Sequence, residues 1–131
     1  MCSDSLARDC PGGSATPQWI YDVSPRVLFK RGLDSPQALE SAPYYLDPTF
    51  QSRFERLIRE FVRHVAALPG ELKSHIWGVQ AALGITGDSR PWDGVPVNSS
   101  YVITSPQWIQ YCRQMAEFFL GELSSINIST F

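Results

Sequence analysis

The feature that most constrains the fold is a long amphipathic segment with a clear beginning and end. Apolar residues recur at steps of three, four and seven between Phe50 and Leu68, which places them on one stripe of a helix. Asp47 can cap the free N–H groups at the start of this helix, and Pro48 fits its first position. Since Pro69 stops the pattern, the sequence predicts a helix from Pro48 to about Leu68 whose apolar stripe faces a core.

An apolar segment from Ile76 to Leu83 follows this helix and has a different period. Both of its faces are apolar except at Gln80, which is typical of a buried parallel strand. The face that includes Trp77 has the larger side chains and is expected to pack under helices, while Gln80 is expected to point into a barrel interior. Because Val27 to Phe29 also has the pattern of a short strand, the order strand–helix–strand indicates an α/β protein with a parallel sheet.

The rest of the chain divides into one domain and two flanking segments. Residues 1–18 are rich in Ser, Gly, Pro and Asp and are predicted to be a flexible lead-in. Residues 19–123 form the domain, and residues 124–131 have no helical pattern and are predicted to be a C-terminal tail. Within the domain, residues 32–42 are predicted to be a loop.

A second helix is predicted to begin at Ser105-Pro106, where a capping residue again precedes a proline. Apolar residues at helical spacing follow and are expected to face the core rather than a cofactor. They are Trp108, Ile109, Cys112, Met115, Ala116, Phe119 and Leu120.

Composition argues against several classes of function. The net charge is −2, with 11 basic and 13 acidic residues and no basic stripe with interleaved aromatics, so nucleic acid is not an expected partner. No apolar run is long enough to span a membrane and the first twenty residues lack the apolar core of a signal peptide, so the expected location is the cytoplasm. The two histidines and three cysteines fit no zinc-binding spacing, so we expect no metal, no cofactor and reduced thiols.

The loop that follows the Ile76 to Leu83 strand is the expected site of ligand contact, because ligands of parallel α/β proteins bind where strands end. It contains two carboxylates, Asp88 and Asp93, together with Arg90 and Trp92. Carboxylates accept hydrogen bonds from sugar hydroxyls, and an aromatic ring can pack against the C–H face of a pyranose. The alternative interpretation is a purely structural turn, since Gly-Asp and Asp-Gly are ordinary turn dipeptides.

Several short motifs lie in order along residues 17–120. They are Pro17-x-Trp19, Pro25-Arg26-Val27, Pro43-Tyr44-Tyr45-Leu46-Asp47-Pro48-x-Phe50, Leu68-Pro69, Val79-Gln80 and Gly84-x-Thr86-Gly87-Asp88. Together they resemble the middle of a glycoside hydrolase (β/α)8 barrel, of the β-galactosidase-like kind in the retaining clan A. A complete barrel takes about 250 residues. The resemblance therefore implies βαβ units of an incomplete barrel.

The same resemblance implies a carbohydrate ligand and a sugar-binding face at the strand ends. The candidate substrate-binding residues are Tyr45, Gln80, Trp92 and Asp93, and the candidate catalytic residue is Asp88.

Catalysis by this chain alone is not expected. In relatives of this kind a Glu at or just before the glycine that ends the strand serves as the acid/base, whereas this chain has Leu83-Gly84 there. We therefore expect a glycosidase-like fragment that acts on or binds carbohydrate without being active by itself. The second hypothesis is a non-catalytic protein-interaction or carbohydrate-binding module, since a partial barrel leaves strand edges and apolar faces through which the chain could self-associate.

Overall fold

The computed structural model describes residues 16–31, 39–81, 83–84, 90–92, 94–126 and 129–130, so most of the predicted lead-in lies outside the described residues. The helices are α1 (Gln18–Tyr21), α2 (Pro48–Ala66), α3 (Gly70–Lys73) and α4 (Ser105–Ser124). The strands are β1 (Arg26–Arg31), β2 (Leu39–Pro43), β3 (Gly78–Val79), β4 (Gly94–Pro96) and β5 (Ser129–Thr130). The mixture of helices with small sheets is α/β-like, as the sequence predicted.

The start of α2 confirms the predicted cap. Asp47 has an extended backbone, and its Oδ1 accepts a hydrogen bond from the backbone N–H of Phe50 at 2.9 Å. The same oxygen accepts a hydrogen bond from the hydroxyl of Ser24 at 2.8 Å. Ser24 is buried and lies just before β1. One carboxylate therefore both satisfies the helix start and fixes it to the segment that enters the sheet.

The buried faces of α2 and α4 are narrower than the predicted stripes. The side chains of Ile109 and Leu120 in α4 are 59% and 54% exposed, and Leu57 and Phe61 in α2 are also exposed. The prediction that these four side chains face the core is therefore wrong. A helix turns one face to its neighbours, and apolar residues at the edge of that face stay in solvent. The buried residues of α4 are Trp108, Tyr111, Met115, Phe119 and Leu123.

The larger sheet is antiparallel and has the order β2-β1-β4. Val27 and Phe29 of β1 are buried, while Leu28 and Lys30 on the opposite face are exposed. The prediction of a loop over residues 32–42 is wrong from residue 39 onward, because the backbone of β2 pairs with β1. The predicted parallel pairing of β1 is also wrong, because both of its neighbours run antiparallel to it.

The smaller sheet is parallel and consists of β3 and β5. The connection between these parallel strands contains α4, and before it β4, which belongs to the larger sheet. The predicted unit of β1, α2 and β3 is wrong, since β1 and β3 belong to different sheets. Of the predicted strand Ile76–Leu83, only Gly78–Val79 is paired, and its partner β5 lies in the segment that was predicted to be a tail.

One hydrophobic core joins β1, α2 and α4. Val27, Phe29, Met115 and Leu123 have no exposed side-chain surface and belong to the same cluster as the buried residues of α2. No helix in the described ranges has the length and apolarity that a membrane crossing requires.

The helices α2 and α4 run in the same direction. The ring of Tyr45 lies 5.6 Å from that of Phe50 and 5.4 Å from that of Trp108, near the starts of the two helices. Farther along, the Nε of Arg59 is 3.3 Å from a carboxylate oxygen of Glu122. The shared direction means that both helix starts are found at one end of the molecule.

Candidate functional site

Two of the predicted substrate-binding residues lie side by side. The rings of Tyr45 and Trp92 have centroids 5.4 Å apart. Both side chains are buried, with 7% and 6% of their surface exposed, so neither offers an open face on which a sugar could stack. Asp88 and Asp93 lie outside the described residues.

Gln80 and Trp77 are placed differently from the sequence prediction. Gln80 is exposed immediately after β3 and is not enclosed by a barrel wall. Trp77, which was expected to pack under helices, is 86% exposed, and that prediction is wrong. A strand of two paired residues does not carry its neighbours into the sheet, so these side chains stay at the surface. A role of Gln80 in binding stays a prediction.

Tyr45 is the centre of an aromatic cluster, which we define as Tyr45, Phe50, Trp92, Trp108 and Tyr111. Its ring centroid lies 5.4 to 5.8 Å from those of the other four members. The rings of Trp108 and Tyr111 are stacked with centroids 5.0 Å apart. Such pairs contribute about 0.5–1.5 kcal/mol each beyond the area that they bury. The cluster therefore holds the starts of α2 and α4 against the Trp92 segment.

A shallow hollow of about 190 Å³ lies beside this cluster, and we call it the glutamine hollow. Tyr111 belongs to both the cluster and the hollow. The hollow lies near the starts of α2 and α4, since its lining includes Gln51 and Gln107 from the first turns of the two helices. The residues that line the hollow are Leu46, Gln51, Gln107, Gln110, Tyr111 and Gln114.

Two of the four glutamines are fixed by hydrogen bonds at the helix starts. The Nε2 of Gln51 donates to the carbonyl oxygen of Tyr45 at 2.9 Å. The Oε1 of Gln107 accepts from the backbone N–H of Thr104 at 2.9 Å and from the Thr104 hydroxyl at 2.8 Å. These contacts complete a capping box at the start of α4. They leave the second half of each amide, Oε1 of Gln51 and Nε2 of Gln107, for other partners.

The hydroxyl of Tyr111 is the unusual group at this site. Its oxygen is fully buried and has no hydrogen-bond partner in the described part of the chain. Burial raises the pKa of Tyr111 far above its ordinary value, and the neighbouring Cys112 thiol adds to the shift, so the hydroxyl is neutral at physiological pH. A buried hydroxyl without a partner costs about 1–3 kcal/mol.

Several described carboxylates already have structural partners. Asp47 caps α2, Glu55 and Glu122 both contact Arg59, and Glu60 pairs with Arg63. Among the described residues there is no group of three or more His, Cys, Asp and Glu side chains placed to hold a metal ion. The chemistry of the described site is therefore that of neutral hydrogen-bonding groups beside aromatic rings.

The sequence reasoning missed the residues of the glutamine hollow. Gln107, Gln110, Tyr111 and Gln114 are spaced by three, four and seven, so they share one side of a helix. That spacing is visible in the sequence, but it lies beside the stronger apolar stripe of α4, which fixes the orientation of the helix. The contribution of Gln51 comes from another helix and could not be read from local spacing.

Comparison of the chain with models of known protein families, with curated proteins and with solved structures finds no match. The glycoside hydrolase resemblance consequently stays a prediction that depends on the motifs alone.

Proposed function

We propose that this chain is a carbohydrate-contacting, non-catalytic piece of a glycoside-hydrolase-like protein, equivalent to part of an incomplete (β/α)8 barrel. The observation that carries the proposal is the parallel pairing of β3 with β5 across a connection that contains α4 and also β4, because parallel strands joined through a helix are the repeating unit of that architecture. The common direction of α2 and α4 is in line with it. The aromatic cluster and the glutamine hollow lie at the helix starts, the end at which such proteins bind ligands.

The positions of the carboxylates favour binding of a carbohydrate without hydrolysis of it. Hydrolysis of a glycosidic bond generally needs two carboxyl groups, one on each side of the bond. Leu83-Gly84 occupies the position where the resemblance requires an acid, and Asp47, Glu55 and Glu122 have structural partners. Amides and hydroxyls can bind a sugar through hydrogen bonds without supplying the pair of carboxyl groups that this mechanism uses.

Two measurements test this proposal. Chromogenic β-galactosides and β-glucosides should not be hydrolysed above background by the purified chain. Titration with methyl β-galactopyranoside and methyl β-glucopyranoside should change tryptophan fluorescence in a saturable way. The double variant Trp19→Phe/Trp77→Phe removes the two exposed indoles and leaves Trp92 and Trp108, both buried in the aromatic cluster, as reporters.

The outcomes separate the parts of the proposal. Turnover by the isolated chain would contradict the non-catalytic assignment, and turnover that survives Asp88→Asn and Asp93→Asn would also remove those residues from any catalytic role. Absence of a fluorescence change with either glycoside would contradict carbohydrate contact.

A second candidate function is self-association through the outer face of the larger sheet. Leu28, Leu39, Val95 and Val97 are exposed there, with exposed fractions from 43% to 71%. Lys30 lies opposite both Leu39 and Val95 and is the charged residue between them. Adjacent apolar side chains of this kind mark interaction surfaces.

Light scattering over a range of concentrations tests self-association. The mass of the wild-type particle should rise with concentration, and Val95→Lys should prevent the rise, because it places a second cation beside Lys30. Leu120→Lys is the matched control, since Leu120 is similarly exposed but lies on α4. A constant monomer mass would rule this function out.

A further inference from the structure

One side of α4 carries apolar residues that stay in solvent. Arg59 of α2 contacts Glu122 and the ring of Phe118, so these two residues mark the side of α4 that faces α2. The exposed apolar strip lies on the other side of the helix, because it is rotated from Phe118 and Glu122 by about half a turn. We call this strip the outer seam and define it by Ile109, Arg113, Ala116, Glu117 and Leu120.

The apolar residues of the outer seam have the spacing of a helix–helix contact. Ile109 and Leu120 are 59% and 54% exposed, and the small, partly buried Ala116 lies between them. With Arg113 they follow one another at steps of four, three and four, which places all four residues along one line of the helix. A small residue between two large ones lets a second helix approach closely and pack against both.

The two charged residues of the outer seam are an independent indication of the kind of partner. Arg113 and Glu117 are exposed, and neither forms an ion pair within the described part of the chain. They are four residues apart, but Arg before Glu is the less favourable order for a pair within one helix. The seam therefore presents one cation and one anion to a partner, which is the pattern of a surface that can complement itself.

Two copies of α4 match along the outer seam when they run antiparallel about a two-fold axis. With the axis beside the middle of the helix, Ile109 of each copy lies against the partner's Leu120. Arg113 of each copy then crosses the partner's Ala116 and reaches the partner's Glu117. Because the symmetry repeats each contact, both cations and both anions are paired. A parallel arrangement does not pair them, since Arg113 and Glu117 lie on the same edge of the seam and a parallel dimer sets that edge against the opposite one.

We propose that the outer seam of α4 binds the outer seam of a second copy of this chain, with the two helices antiparallel. The partner is a second copy because both the apolar residues and the charges of the seam complement themselves. A contact made through one helix of each copy buries less than the roughly 1,200–2,000 Å² of a stable interface, so this dimer is weak and reversible. The inference goes beyond the proposed carbohydrate contact, and its surface is separate from the outer face of the larger sheet.

Charge reversal tests the pairing, with the Val95→Lys chain as the parent so that the outer face of the larger sheet does not contribute. In sedimentation equilibrium the parent should pass from one chain to two and grow no further, since growth beyond the dimer belongs to the sheet face. Arg113→Glu and Glu117→Arg each turn two attractive contacts into repulsive ones, and each should raise the dissociation constant by about 5- to 30-fold. The double variant Arg113→Glu/Glu117→Arg exchanges the charges and should restore the affinity of the parent.

Two further variants separate the seam from other surfaces. Arg56→Glu is the matched control, because it reverses an exposed arginine on α2 and should leave the dissociation constant unchanged. Ile109→Lys places a charge against the partner's Leu120 and should remove the dimer. Leu120→Lys should also remove this dimer, while growth through the sheet face should continue in a chain that keeps Val95. Circular dichroism checks that every variant folds, as expected for substitutions of exposed side chains.

The outcomes distinguish this inference from the proposed functions. If the Val95→Lys chain stays monomeric up to about 1 mM, the seam is overturned, and growth of the wild-type chain would then belong to the sheet face. If the chain dimerises but Arg113→Glu has no more effect than Arg56→Glu, the seam is also overturned. A double variant as weak as the single ones would overturn the antiparallel pairing of Arg113 with Glu117. None of these results depends on whether the glycosides bind.

Discussion

Replacement of Asp47 by alanine should destabilise the fold by about 1.5–5 kcal/mol, because one oxygen of its carboxylate accepts hydrogen bonds from two partners. Loss of the cap on the Phe50 N–H contributes about 0.5–2 kcal/mol. The hydroxyl of Ser24, which is 5% exposed, would lose its acceptor, and a buried hydroxyl without a partner costs about 1–3 kcal/mol. The sum is a large share of the about 5–15 kcal/mol that stabilises a typical domain.

Urea unfolding followed by circular dichroism measures this effect, and two further variants assign it. Asp47→Asn keeps an oxygen that can accept hydrogen bonds from both donors, so this variant should lower the free energy of unfolding by less than about 1 kcal/mol. Ser24→Ala removes the hydroxyl that depends on Asp47. In the Asp47→Ala background it should therefore cost nothing or restore stability, which gives a coupling of about 1 kcal/mol or more in a double-mutant cycle.

The reasoning would be refuted by either of two results. Equal destabilisation by Asp47→Asn and Asp47→Ala would mean that the negative charge, and not the shared acceptor, stabilises the start of α2. Strict additivity of Asp47→Ala and Ser24→Ala would mean that the two side chains do not depend on each other. Either outcome would also remove the argument that this carboxylate ties α2 to the segment before β1.

Three further predictions concern α4. Met115→Ala should lower the free energy of unfolding, measured in urea, by about 2–5 kcal/mol, because Met115 is completely buried. Ile109→Ala on the exposed side of the same helix should change this free energy by less than about 0.5 kcal/mol. Equal effects of the two substitutions would contradict the orientation of α4. Because the pKa of Tyr111 is raised in the folded state, the unfolded chain loses the phenol proton at a lower pH than the folded chain, and the free energy of unfolding should fall as pH rises above about 10. Tyr111→Phe should lessen this fall. An identical pH profile in the variant would show that Tyr111 does not cause the fall. Burial also raises the pKa of the Cys112 thiol, so iodoacetamide at pH 7 should alkylate this residue more slowly in the folded chain than in urea. Peptide mass spectrometry measures both rates, and equal rates would contradict the partial burial of Cys112.

The position of α2 could be predicted because its signals are local. The Asp47-Pro48 start and the Pro69 stop act within one turn of the backbone, and the structure has the helix from Pro48 to Ala66. The start of α4 was predicted to within one residue for the same reason, but its N-cap is Thr104 and not the predicted Ser105, because Gln107 pairs with Thr104 in a capping box.

The candidate site could be predicted only in part. Tyr45 and Trp92 were chosen as ligand contacts and do come together, but as buried members of one cluster. Whether an aromatic ring is a binding surface or a core residue depends on what packs against its faces, and the sequence does not contain that information. Asp88 and Asp93 lie outside the described residues, so their role stays a prediction.

The sequence by itself determined the two long helices, the mixed α/β character and the net charge of −2, since these depend on neighbours within a few residues or on composition; the short helices α1 and α3 were not predicted. Only the tertiary structure decided that β1 pairs antiparallel with β2 and β4, and that the parallel pair is β3 with β5. Strand pairing depends on backbone groups far apart in the chain, and an apolar strand carries no mark of its partner. The same cause explains which residues of the amphipathic segment α2 are buried. Its period gave the helix, but only packing selected Ile58 and Val62 for the core and left Leu57 and Phe61 in solvent.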